Sequence, residues 1–120
     1  MMTHTTPLVV ALAAACFAAA CGSSAVPAER LTNTKAAIRA AEEMEARKTP
    51  RAALHLKLAN DQVAKAERLI DDGENDRAKL YLDQAQADAD LALGLAKEAK
   101  ERSEAQQAEA KIQELRKQAQ

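Results

Sequence analysis

Reactive side chains are few and scattered in this 120-residue sequence. It has two histidines, His4 and His55, and two cysteines, Cys16 and Cys21. The Cys21 thiol has the most informative surroundings, with Ala18-Ala19-Ala20 before it and Gly22-Ser23-Ser24 after it. His55 has Lys57 near it and Asn60 and Asp61 one turn on, and reads as a lone exposed helical histidine rather than a base or ligand. Metal sites need His, Cys, Asp and Glu at set spacings. The acidic group Asp71, Asp72, Glu74 and Asp76 lacks the twelve-residue calcium-loop pattern, and reads as solvated charge at a loop and helix start. Asp88 and Asp90 flank Ala89 and point different ways on a helix, so they form no acid/base pair. There is no glycine-rich phosphate loop and no nucleophile elbow. The expectation is no catalytic residue, no metal site and no enzymatic activity.

The segment around Cys21 differs in composition from the rest. No Asp, Glu, Lys or Arg precedes Glu29, and Leu8 to Ala20 is wholly apolar. Its thirteen residues span about 20 Å as a helix, too short for the ~30 Å core of a bilayer. That length suits the apolar region of a secretion signal. The junction Ala18-Ala19-Ala20-Cys21 resembles a lipobox, which implies cleavage between Ala20 and Cys21. The same resemblance implies diacylglycerol on the Cys21 thiol and an acyl chain on its new amino group. The sequence departs from the pattern at Ala18, where leucine is commoner, and in its first seven residues, which lack Lys and Arg. Cys16 is a rival lipidation site, since Ala13-Ala14-Ala15 precede it. Ordinary secretion is the other alternative, because Ala18 and Ala20 also satisfy the small-residue rule of general signal peptidase. Gly22-Ser23 lacks the acidic residue that retains enteric lipoproteins on the inner membrane, which favours an outer membrane. The organisation expected is a signal over 1–20, a flexible tether over 21–27, a helical bundle over 28–98 and a charged helical tail over 99–120.

Beyond Pro27 the sequence calls for helices. About a quarter of the chain is alanine. Glu, Lys, Arg, Gln and Leu make up much of the rest, all good helix formers. A first helix is predicted from about Ala28 to Arg47, with Leu31, Ala37, Ile38, Ala41 and Met44 on one side. Thr32-Asn33-Thr34 weakens its start. Thr49 and Pro50 suit the cap and first position of a second helix running to about Asp72. Leu56, Ala59, Val63, Ala66 and Ile70 form its stripe, widened by Leu54, Leu58 and Leu69. Gly73 suits the end of that helix, and Asn75 or Asp76 the cap of a third reaching about Gln118. In the third helix Ala78, Leu82, Ala85, Ala89, Ala92 and Ala96 alternate four and three apart, as in a coiled-coil seam. The fold class expected is all-α: an antiparallel hairpin or three-helix bundle with a long C-terminal helix extending beyond it. In the tail, Ala105, Ala108, Ile112 and Leu115 keep the same alternation and form the candidate partner-facing stripe. That stripe meets another chain, folds onto helix one, or frays in solvent.

Two resemblances follow from these residues. Gly73 to Ala78, with Tyr81 and Ala85, resembles the second-helix entry of a tetratricopeptide repeat, in a single copy. Ala36 to Ala41, Pro50 to Ala59, Ala64 to Ala66 and Gly73 to Ala96 resemble the DUF4398 family of small bacterial lipoproteins. That resemblance implies an alpha-helical, lipid-anchored envelope protein with no assigned activity. Net charge is −1 with both signs interspersed, so nucleic acid is not an expected partner. The expected partners are a membrane, through the lipid, and a protein or a second copy, through helical faces. The expected function is a structural or adaptor lipoprotein. A small-ligand or enzyme-accessory module using the hairpin groove near Tyr81 and His55, and a peptidoglycan-bracing protein, are the alternatives.

Overall fold

The computed structural model describes residues 24–120. The expected signal, its cleavage point at Ala20 and Cys21, and Cys16 lie outside the described residues.

Three α-helices make up the fold: α1 (Ala28–Glu43), α2 (Pro50–Asp71) and α3 (Asn75–Gln118). All-α is the fold class, and α3 is the long C-terminal helix the sequence predicts. Its 44 residues against 22 in α2 make it about 66 Å long against about 33 Å. The α2–α3 hairpin is the main contact, and α1 packs chiefly on α3.

Helix α1 starts at Ala28 despite its threonines, because Thr34 is buried and its hydroxyl points to the Leu82 carbonyl at 3.5 Å. Tertiary contact overrides the weak local preference. The helix ends at Glu43, four residues before the expected Arg47. Glu45 takes a left-handed conformation at φ +58°, and a single 3-10 turn, Ala46–Lys48, follows. Such a backbone is uncommon for a side-chain-bearing residue; it turns the chain so that Ala46 is fully enclosed.

Pro50 occupies the first turn of α2, as expected, while Thr49 sits at the cap position without a side-chain bond. At the other end Gly73 adopts φ +77°. Glu74 N–H donates to Leu69 O at 2.7 Å and Gly73 N–H to Ile70 O at 3.0 Å. These two bonds are the Schellman pair that satisfies the last carbonyls of a helix. The expected side-chain cap on α3 is absent. Glu74 holds the cap position and Asn75 turns inward, its side-chain amide donating to the Ser24 carbonyl at 2.6 Å.

The core is built largely from alanine. Among its fifteen buried apolar residues, only Ile38, Leu56, Val63, Leu69 and Leu82 are larger. All six expected seam positions of α3 are buried. On α2 the expected stripe is buried except Ile70, which is half-buried. Leu69 joins the stripe, but Leu54 and Leu58 do not; they face solvent. Positions equidistant from Glu74 stand level in an antiparallel hairpin, which sets Ala66 by Leu82, Val63 by Ala85 and Leu56 by Ala92, with Leu69 near Ala78. Large meets small at these four levels, and Ala59 meets Ala89 between them, so the two helices can approach closely.

Candidate interaction site

Past Ala96 no residue of α3 is buried, and from Glu101 to the end every residue is exposed. The helix still continues to Gln118. Ala105, Ala108, Ile112 and Leu115 all lie on this projection, with Ile112 49% and Leu115 51% exposed. The stripe neither folds onto α1 nor loses its helix. Its direction explains why. At about 100° per residue, Ile112 points about 160° around the axis from Ala96, away from the bundle. The bundle's own seam runs on through Ala99 and Ser103 toward Gln106, which are polar or small. A longer α2 would therefore not have covered Ile112 and Leu115. Periodicity alone suggests one seam prolonged; the phase between the two stretches shows two seams on opposite sides.

The polar contacts inside the bundle are concentrated at Asp88. Its carboxylate meets His55 Nδ1 at 2.8 Å and accepts from Gln62 Nε2 at 2.9 Å, all three residues being half-buried. His55 is thus not the lone surface histidine the sequence suggests; it ties α2 to α3. Asp88 and Asp90 do point apart, and Asp90 accepts from Gln86 at 3.0 Å on the exposed side. The signal for Asp88 was its place one residue before the buried Ala89, at the edge of the helix contact. Asp88→Ala leaves His55 and Gln62 without their acceptor. It should lower the unfolding free energy by about 1 to 2 kcal/mol, read from urea midpoints, and a shift near zero would show that solvent replaces the carboxylate freely.

Before α1, Lys79 bonds Ser24 Oγ, and Asp76 lies 3.2 Å from the Lys79 ammonium. The Ser24 hydroxyl, and then Lys79, hold the Asp76 carboxyl below its ordinary range. Glu74 raises the Arg77 guanidinium above its usual value. Pro27 is buried. The last residues of the expected tether are thus docked on the start of α3.

Helical i,i+4 spacing predicts the surface pairs Glu43–Arg47, Asp61–Lys65 and Glu98–Arg102. Glu98–Arg102 forms at 2.6 Å, but Arg47 pairs with Glu42 and Asp61 with Lys57. Tyr81 packs half-buried against the core. A surface depression lies where the bundle ends, lined by Met44, Lys48 and Thr49 on one side and Ala96, Ala99 and Ser103 on the other. His55 and Tyr81 do not line it. No described helix is long and apolar enough to cross a membrane. Among the described residues no cluster of three His, Cys, Asp or Glu could hold a metal ion.

Fold and surface together define an all-α bundle with a projecting C-terminal helix. The chain belongs to the family described as Domain of unknown function (DUF4398), whose profile matches residues 29–108. The match takes in α1, α2 and α3 as far as Ala108, so the projection's first part lies within the family domain. No curated protein and no solved structure matches the chain.

Proposed function

We propose that this protein is a non-enzymatic lipoprotein of the bacterial envelope, anchored through lipid on Cys21 and acting as an adaptor through its projecting helix. The observation that carries the adaptor reading is the half-exposure of Ile112 and Leu115 on a helix that outruns its bundle. Large apolar side chains repeated along one exposed helix face suit a protein partner. The anchor reading rests on the apolar run Leu8 to Ala20 ending in small residues before Cys21. Ser24 is docked on Asn75 and Lys79. Three residues span about 10 Å at most, so a lipid on Cys21 would hold the bundle close to the membrane surface. An outer membrane with the domain in the periplasm fits the neutral Gly22-Ser23.

Mass spectrometry of the native N-terminus tests the anchor. The expected species begins at Cys21 and carries diacylglycerol and an N-acyl chain, while Cys21→Ala stays uncleaved and unlipidated. An intact Met1 or an unmodified Cys21 thiol contradicts it. Deleting residues 100–120 should abolish partner capture and leave the helical signal of 28–98 in place; unchanged capture would remove the projecting helix from the proposal.

A further inference from the structure

The exposed apolar residues of α3 are not confined to its projection. Leu80 is 63% and Leu91 45% exposed, and both lie on the side away from the bundle. With Gln84, Ala87 and Gly94, all exposed, they alternate four and three apart. After Glu98 and Glu101 the alternation resumes, without a break in phase, at Ala105, Ala108, Ile112 and Leu115. All the exposed large hydrophobics of α3 fall on this one line. It runs for about five heptads, as two apolar stretches separated by Gly94, Glu98 and Glu101.

We propose that this outward line is the interface of an antiparallel dimer, in which α3 of a second copy lies along α3 with the dyad between Ala99 and Lys100. The proposal rests on the reading of α3 as a docking surface, and names the occupant. Two features of the sequence on this helix choose it.

The first is shape. Residues equidistant from that dyad stand level, so Leu91 meets Ala108 of the second copy, Ala87 meets Ile112 and Leu80 meets Ala119. In these layers each large side chain meets a small one, as in the intramolecular hairpin of this same chain. Gln84 stands level with Leu115, the one layer that sets a polar side chain against a large apolar one. The second feature is charge. On one flank of the line Asp90 pairs with Lys111 of the second copy and Lys97 with Glu104, each twice by symmetry. On the other flank Asp88, whose carboxylate is held by His55 and Gln62, is set beside Glu109 of the second copy, the one like-charged flanking pair, also twice by symmetry. A parallel pair would bring Lys97 beside Arg102 of the second copy, Glu104 beside Glu109 and Lys111 beside Arg116. All three are like-charged, and such pairs select against the arrangement. Glu98 meets Glu101 of the second copy in the two layers at the dyad, a like-charged contact that lowers affinity and that a parallel pair would hold as well, as Glu98 on Glu98 and Glu101 on Glu101.

The arrangement has a geometric consequence. Each Ser24 is held at the start of its own α3, so the two Ser24 residues lie at opposite ends, about 70 Å apart. Two anchors so placed would lay the rod along the membrane.

Light scattering and sedimentation on the full-length chain in mild detergent test the dimer. The expected mass is that of two chains. Ile112→Glu, on an exposed position, should weaken association by at least about tenfold with helicity and bundle melting unchanged. Lys111→Glu should weaken it as well, and Asp90→Lys combined with Lys111→Glu should restore it. That rescue is specific to the antiparallel register. A monomer at all accessible concentrations overturns the proposal, as does a dimer indifferent to Ile112→Glu or a charge swap that fails to rescue. A monomer that still loses capture of an envelope protein when 100–120 are removed would overturn the dimer while leaving the adaptor reading intact.

Discussion

Leu82→Ala should destabilise the bundle by about 2 to 5 kcal/mol, enough to take away much of the ~5–15 kcal/mol that holds a typical domain folded. Leu82 is 1% exposed and is the largest fully buried side chain. It sits where all three helices converge, level with Ala66 on α2 and under Thr34 of α1, whose hydroxyl points to its carbonyl. Neither neighbour can fill the space. Ala66 has no rotamer to swing, and moving Thr34 inward would separate its hydroxyl from the Leu82 carbonyl. The rest of the core offers only four other large side chains, so the loss is not diluted. The expected result is a broad, early thermal transition by circular dichroism, with α1 released first because it packs mainly on α3. Leu54→Ala is the control, since Leu54 is 56% exposed and its truncation should move stability by no more than about 0.5 kcal/mol. Equal effects of the two substitutions would mean that Leu82 does not hold the bundle together.

The fold was legible where one rule acted alone. Pro50 and Gly73 punctuate the helices through their own backbone restrictions, and the structure starts α2 and caps it there. The inward seam of α3 was legible because small residues recur at heptad spacing. The end of α1 was not, because no residue there requires it: Glu45 has no intrinsic preference for φ +58°, and only the enclosure of Ala46 explains the turn. Asn75 misled for the opposite reason. It is a good cap residue, but its amide found a better partner in the Ser24 carbonyl, 51 positions away in sequence. Leu54 and Leu58 are apolar in type but out of phase with the stripe: at about 100° per residue, Leu58 is turned about 100° from Ala59 and Leu54 about 160° from Leu56, onto exposed faces. Phase hid the interaction surface as well. Spacing within the tail identified Ala105, Ala108, Ile112 and Leu115, but only the observed bundle side fixes where that stripe points. With that reference, Leu80 and Leu91 join it, and their exposure becomes part of a pattern. His55 and Asp88 lie 33 positions apart, and no local rule connects them; the hairpin register does.

Ala89→Leu should destabilise the bundle as well, by about 1 to 3 kcal/mol or more, although it adds apolar surface to an alanine-rich core. If the core were short of apolar contact, filling it would help: fully burying a leucine side chain contributes about 1.5 to 3 kcal/mol. The packing decides against that outcome. Ala89 has no exposed surface, and neither does Ala59, which stands level with it across the hairpin. Both helices are therefore already in contact at this level, with no large residue on either side to give way. A leucine at 89 must push the axes apart, and a rigid helix transmits the displacement to the levels above and below. Leu56 would lose its seat by Ala92, and Val63 its seat by Ala85. The His55–Asp88 contact lies one residue from the substitution and would lengthen with it. Urea unfolding of Ala89→Leu beside Ala87→Leu separates the two accounts, because Ala87 lies on the far side of α3 and is exposed. Ala87→Leu should leave the unfolding of the bundle itself unchanged, and its effect belongs to association. A stabilised Ala89→Leu would show that the alanine layer is a void rather than a close contact, and the close approach on which this fold rests would have to be given up.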